Sequence, residues 1–364
     1  MFFNPAMNKF PGIFPKAKLV KRINRFVAEV ILDDKKINVY VPNTGRLSEL
    51  ALPGAELLLS PINAKYKYKI LYIINRSFPV MIDSTYSNRL FHELLKKKKV
   101  PSLDRYSSIK TEPVYGSHRF DFLITSEDKQ SYIELKSCTL FYNTTGAFPD
   151  AVSTRASEHV KALAESGKGK LIFFVLRSDI ERFLPNYHTD FTFYETLKYY
   201  KNMIDIRAFT VQYDDELNIQ SLKEIPVIIP EVIPYGIFFL ILFNPADIIN
   251  DDGEILEQGY YIYCGNSAGN IFKSIASIKK KNGIRSILPD TRFSGMKIIS
   301  DLPIVSTSIT LDEINNKLEN HGGSDILFEN NNSSCNRLKY YRTNPAEQSW
   351  FWDIILELRF GEYM

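Results

Sequence analysis

Apolar and polar positions divide the chain into three stretches of different periodicity. From about residue 10 to 80, short runs alternate with period two between turn residues. Residues 19–32 read as a pair of strands closed by Asp33-Asp34-Lys35-Lys36, and residues 37–41 alternate. Pro42-Asn43-Thr44-Gly45-Arg46 and Pro53-Gly54-Ala55 are turns, and residues 65–74 alternate cation with aromatic before turning apolar. Several short strands with this punctuation predict a small barrel of the OB type.

Residue 83 begins a different pattern. Cap residues Asp83 and Ser84 precede Leu90, Phe91, Leu94 and Leu95 at helical spacing, and Lys96–Lys99 place cations at the helix end. Two β-prone runs then flank the polar stretch 126–131, which predicts a hairpin. A capped helix over 153–165, a buried strand over 170–177, a helix over 191–201 and a strand over 205–213 follow. That order is α/β, with helices on the sheet faces.

Residues 235–242 and 259–265 read as buried strands, 271–281 and 311–320 as helices, and 330–334 as a loop rich in Asn and Ser. The apolar stretch 225–243 contains Pro226, Pro230, Glu231 and Pro234, and its unbroken part is too short to cross a bilayer. Three domains are therefore expected: residues 1–82, 83–230 and 231–364. The fold class is a multidomain chain with an all-β barrel, an α/β domain and a small α+β domain.

The hairpin carries the chemistry. Strand side chains alternate, so Glu134 and Lys136 share a face, while Ile133 and Leu135 take the other. With the turn centred near Asp128, Asp121 falls opposite Glu134. Charged strand residues are ordinarily solvated or salt-bridged. These sit within Phe-, Leu- and Ile-rich runs, where unpaired charge is costly. Two hard oxygen ligands and one cation suit metal-assisted phosphodiester hydrolysis. In the barrel, Lys21, Arg22, Arg25 and Arg46 with the Lys65, Lys67 and Lys69 row offer phosphate contacts. Alternating lysines on an edge strand serve solubility as readily.

Composition narrows the classes. With 45% hydrophobic and 24% charged residues in a chain of 364, global disorder is excluded. A net charge of +3 permits nucleic-acid binding through local patches without requiring it. Cys138, Cys264 and Cys335 follow no zinc spacing and fit a reducing compartment. No secretory pattern opens the chain, so a cytoplasmic protein without a membrane segment is expected.

The spacing of Asp121, Glu134 and Lys136 resembles the core of the PD-(D/E)XK nuclease superfamily. The resemblance implies Mg²⁺ or Mn²⁺ on Asp121 and Glu134, Lys136 assisting the attacking water, and Glu93 as an auxiliary acid from the preceding helix.

Residues 13–229 resemble the sugar fermentation stimulation protein A (SfsA) family. The similarity runs through Lys21-Arg22, Arg25-Phe26, Asn43-Thr44-Gly45-Arg46 and Asn88-Arg89-Leu90. It continues through Tyr115-Gly116-Ser117, Arg119-Phe120-Asp121, Glu134-Leu135-Lys136, Phe148-Pro149-Asp150, Thr154, Arg155 and His159. It implies an OB-like domain, a PD-(D/E)XK-like domain and DNA as partner. Lys21, Arg22, Arg25, Asn43, Arg46, Arg119, Arg155 and His159 are the expected DNA contacts. The family's Arg-Gly-x-Lys-His run stands here as Arg155-Ala156-Ser157-Glu158-His159, with a glycine lost and a charge reversed.

The last third resembles the GIY-YIG-like domain DUF123, with Gly236-Ile237-Phe238 for the first motif and Tyr263-Cys264-Gly265 for the second. Phe238 replaces a tyrosine, and the helix from Asn270 to Ile275 carries no arginine. A catalytically silent module is expected. For the whole chain the expectation is a DNA-binding, metal-dependent nuclease. The alternative is a non-catalytic DNA-binding regulator, or a partner-binding protein, on the same scaffold.

Overall fold

The structure, a computed structural model, describes residues 14–363 except 128, 250–254, 268, 281–283, 289–290, 307 and 328–336. The expected hairpin centre at Asp128 and the loop at 330–334 lie outside the described residues. The chain divides into two units, with the break between Ile229 and Pro230.

In the first unit, β1 (Lys16–Asn24), β2 (Val27–Leu32), β3 (Lys35–Tyr40), β4 (Glu56–Pro61), β5 (Tyr68–Asn75) and β6 (Phe78–Met81) form one sheet. Its order is β3-β2-β1-β4-β5-β6, and a β3–β5 pairing at Tyr40 and Lys69 closes the first five strands into a barrel. Alternation sends Val30, Val39, Leu57, Leu59 and Ile73 inward, where all are buried. Asp33 and Asp34 both have positive φ, 47° and 59°, so this two-residue turn carries the twist of a hairpin, and Lys35 and Lys36 already belong to β3. Arg76 and Ser77 do the same between β5 and β6. The expected alternating lysine strand begins only at Tyr68, so Lys65 and Lys67 lie in the bend before it.

The α/β part runs α1 (Ser84–Lys96), β7 (Ser108–Thr111), β8 (Val114–Tyr115), β9 (His118–Arg119), β10 (Phe122–Ser126), β11 (Lys129–Cys138), β12 (Leu140–Tyr142) and β13 (Thr145–Phe148). It continues with α2 (Thr154–Glu165), β14 (Gly169–Val175), β15 (Arg182–Pro185), α3 (Phe191–Tyr200), β16 (Asp205–Tyr213) and β17 (Ile219–Ile225). The main sheet has the order β17-β16-β14-β11-β10-β7. Its centre, β11, β14 and β16, is parallel, and the flanking strands are antiparallel. On one face Phe91, Leu94 and Leu95 of α1 join the core of Ile133, Leu135 and Phe174. On the other, Val160 and Leu163 of α2 and Phe193 and Leu197 of α3 join that of Leu171, Phe173 and Val175. Caps from Asp83, Ser153 and Asp190 start the three helices by accepting from Tyr86, Ala156 and Phe193 N–H.

Arg177 fastens barrel to sheet. It is 2% exposed. Its guanidinium donates to Asp179 Oδ1 at 2.6 Å, to Asn75 Oδ1 at 2.9 Å and to the Asn143 carbonyl, and it lies against the rings of Phe78 and Phe141.

The second unit contains β18 (Gly236–Asn244), β19 (Ile248–Ile249), β20 (Ile255–Leu256), β21 (Gly259–Ser267), α4 (Ile271–Ile278), α5 (Ile284–Ile287), β22 (Lys297–Val305), α6 (Leu311–Glu319), β23 (Ser324–Leu327), β24 (Arg337–Tyr341) and α7 (Ser349–Phe360). Its main sheet is antiparallel in the order β22-β18-β21-β24-β23. Phe238 pairs with Gly265, and its ring lies 2.3–2.9 Å from where a Cβ at Gly265 would sit, so this position needs glycine. Lys339, 2% exposed, is offset by Asp325 at 2.7 Å and Glu319 at 3.4 Å. Among the described residues, no helix is long and apolar enough to cross a membrane.

Candidate active site

The β10–β11 hairpin aligns Phe122 with Ile133 and Ser126 with Lys129. One step beyond Phe122 and Ile133, Asp121 faces Glu134 across the strands, and the Leu135 N–H donates to Asp121 Oδ2 at 2.7 Å. Lys136, two residues on from Glu134 and on the same face, donates from Nζ to Glu134 Oε1 at 2.7 Å. From α1, Asn88 Nδ2 donates to Asp121 Oδ1 at 2.6 Å. From α2, His159 Nδ1 lies 2.5 Å from Glu134 Oε1, and Arg155 Nε donates to His159 Nε2 at 3.3 Å. Asp121, Glu134 and Lys136 thus meet in one place, held from both helices. Ser87 and Ser137 tie α1 to β11 through their hydroxyls, 2.7 Å apart.

The two carboxyls titrate in opposite directions. Burial, then the neighbouring Glu134 charge, pushes Asp121 up to about 6, against the opposing pull of the Leu135 N–H, Lys136 and Asn88. Burial acts on Glu134 in the same sense, but Lys136 and His159 together outweigh it and hold this carboxyl below its ordinary value. Glu134 is 4% exposed, and among the described residues no protein group donates to its Oε2.

These groups line a cleft of about 790 Å³. Its walls come from α1 (Asn88, Arg89, His92), β11, the segment 148–153, Arg155 and the barrel loop Asn43-Thr44-Gly45. That loop is held rigidly. Arg22 donates to the carbonyls of Arg25, Asn43, Gly45 and Arg46. Asn43 closes on the Gly45 N–H and reaches the Ile82 carbonyl. Asp150 Oδ2 accepts from the Leu47 N–H at 3.2 Å and stands 2.3 Å from where a Cβ on Gly45 would lie.

Several expected roles are corrected here. Glu93 is not in the cleft: it is half exposed and paired with Lys96 at 3.0 Å, on the far side of α1 from Asn88. Position 88 supplies the α1 contact instead, as an amide rather than an acid. Arg22 is not a free cation for phosphate, because backbone carbonyls take its Nη1 and Nη2 groups and its Nε is buried. Both amide atoms of Asn43 are likewise engaged. His159, expected on the surface, is 4% exposed. Lys69 pairs with the α1 cap Asp83 at 2.6 Å. Lys21, Arg25 and Arg46 are exposed; Arg25 lies over the Phe26 ring. Arg119 is exposed beside Glu112 at 3.5 Å and does not line the cleft, whereas Arg155 does.

Among the described residues, no group of three or more His, Cys, Asp and Glu side chains gathers as a metal cage. Two adjacent carboxylates, one with an unpartnered oxygen, instead fit a hard divalent cation that keeps most of its waters.

A closed barrel joined to a mixed sheet, with paired carboxylates and a lysine in the cleft between them, defines a two-part protein of the OB-plus-α/β kind. The family description "SfsA N-terminal OB domain" matches residues 20–82, and "Sugar fermentation stimulation protein RE domain" matches residues 85–217. The sugar fermentation stimulation protein homolog of Acetivibrio thermocellus is 36% identical over 231 residues, covering 61% of this chain and 99% of the relative. That of Methanosphaera stadtmanae is 35% identical, covering 56% and 89%. The solved structure "Pyrococcus Furiosus SfsA in complex with Ca2+" superposes with a TM-score of 0.56 at 26% identity, covering 60% of this chain and 98% of that one. The chain belongs to the sugar fermentation stimulation protein family; the matched family descriptions end at residue 217.

Proposed function

We propose that residues 14–229 form a DNA-acting, metal-dependent phosphodiesterase of the PD-(D/E)XK type. The observation that carries this reading is the state of Glu134, which shares the cleft with Asp121: Oε1 is held by Lys136, while among the described residues no protein group donates to Oε2. A buried pair of acids of which one is pushed up to about 6 is costly when both are charged, and a divalent cation offsets that cost. The complex of the Pyrococcus furiosus relative with Ca²⁺, a cation that takes oxygen ligands, supports the same ligand class here. When bound, Mg²⁺ or Mn²⁺ supplies Lewis-acid polarisation of the phosphodiester and a more acidic water.

The protein's own groups supply the rest. Asp121 and Glu134 hold the cation, and Asn88 and the Leu135 N–H keep the Asp121 oxygens in place. Lys136 puts a positive charge beside the position of the reacting phosphate. Arg89 and Arg155 on the cleft walls, with Lys21, Arg25 and Arg46 on the barrel, give the backbone contacts that single- or double-stranded DNA requires.

The test incubates both DNA forms with Mn²⁺ and compares the protein with Glu134→Ala. Cleavage that disappears in the variant supports the proposal. Binding without cleavage supports a non-catalytic DNA-binding regulator.

For residues 230–363 we infer a GIY-YIG-like module without the chemistry. Its two motif strands, β18 and β21, are neighbours. Phe238 presents no hydroxyl and is buried, and α4 carries no arginine. Little remains to activate water or neutralise phosphate.

A further inference from the structure

Resting on the reading of Asp121 and Glu134 as cation ligands, we propose that Arg155 and His159 form a positioning chain that orients Glu134, so that Oε2 and not Oε1 meets the cation. His159 sits too deep to touch DNA. Its ring is fixed edge-on against Phe120, with centroids 5.9 Å apart, and against His118, at 5.8 Å.

The tautomer follows from its neighbours. A guanidinium has only donors, so the His159 Nε2 that accepts from Arg155 carries the lone pair. The ring proton is then on Nδ1, 2.5 Å from Glu134 Oε1. The approach is short but out of line for a regular hydrogen bond, and acts as a close polar contact. Lys136 donates to the same oxygen. One hydrogen bond and one close polar contact engage Oε1, and among the described residues no protein group donates to Oε2, on a side chain that lines the cleft.

Spacing makes the chain possible. Arg155 and His159 are four apart on α2 and share a face. Arg155 reaches the cleft wall, while His159 reaches the buried carboxyl. Partners behind a metal ligand commonly fix its orientation and are worth about 10–100-fold in metal affinity.

The experiment uses the full chain and Mn²⁺ alone. Affinity is measured by calorimetry for wild type, His159→Asn, His159→Gln and His159→Ala, and ring ¹⁵N shifts are read in the metal-free protein. An Asn amide nitrogen falls near the histidine Nδ1 position, and a Gln amide near Nε2. The Asn variant is expected within roughly threefold of wild type, and the Gln and Ala variants to bind about 10–100-fold more weakly. His159 is expected as the Nδ1–H tautomer, becoming mixed in Arg155→Ala, a substitution at an exposed position that decides the matter should the alanine variant at 159 fail to fold.

Wild-type Mn²⁺ affinity in both the Gln and Ala variants, or an Nε2–H tautomer in the native protein, overturns the positioning role and leaves the cation reading standing. No Mn²⁺ uptake by wild type removes the cation reading, and the positioning role with it.

Discussion

Asn88 on the first helix holds Asp121 at the edge of the hairpin through a 2.6 Å hydrogen bond from Nδ2 to Oδ1. Replacing Asn88 with Ala leaves that oxygen without its donor. The expected cost is about 1–3 kcal/mol. Asp121 also loses a stabiliser of its charged form, so its pKa moves further up. Urea unfolding and carboxyl NMR check the two effects.

The charge on Asp121 itself burdens the metal-free fold. Its folded pKa, about 6, lies above the ordinary 3.8, so the folded state binds the proton more tightly. The contribution is therefore most favourable below pH 3.8 and is lost as pH rises through about 6. In Asp121→Asn, a flip of Asn88 lets the new amide donate where the carboxylate accepted. With chelator present, this variant melts above wild type at pH 8 by roughly 2–4 °C per kcal/mol relieved, and the gain vanishes at about pH 4. Melting curves that differ equally at both pH values refute the assignment.

Gly45 has no room for a methyl group. The Asp150 carboxylate and Asn43 Oδ1 lie 2.3 and 2.9 Å from its Cβ position, and both oxygens already accept backbone N–H groups of the same loop. Gly45→Ala is expected to cost about 1–3 kcal/mol. In an Asp150→Ala background the cost shrinks, a coupling that a double-mutant cycle on denaturation midpoints measures.

Arg177→Met removes a buried charge whose partners remain. Because Asp179 keeps some contact with water, the loss falls at the lower end of about 3–5 kcal/mol. Chemical denaturation followed at the barrel tyrosines and at the sheet checks whether both parts unfold together.

The meeting of Asp121, Glu134 and Lys136 is legible in the sequence because a strand has period two: Glu134 and Lys136 have to share a face, and the hairpin has to bring Asp121 near. The α1 contact is not, because the motif leads one to expect an acid there and the helix supplies an amide. Glu93 is five residues beyond Asn88, on another side of the helix, whereas Asn88, Arg89 and His92 share the cleft side. An Asn within a helix, where its propensity is poor, was the available signal.

Strand β6 is not legible in the sequence because Arg76-Ser77 lacks the Asn-Gly signature of its turn type, although both residues adopt positive φ. Helix α7 is not legible either, because Phe351, Trp352, Ile354, Ile355, Leu356, Leu358 and Phe360 are all buried, and a helix covered on nearly every side shows no polar stripe. The closed barrel was readable from its turns. That one of them walls the cleft was not, since the contact between residues 45 and 150 is non-local.

The loop from Asn43 to Leu47 belongs by sequence to the barrel and by position to the cleft. A barrel borrowed from a relative would bring a loop fitted to another Asp150, and an α/β half expressed alone would stand open on one side. A successful chimera must therefore carry residues 43–47 and 148–153 from the same parent.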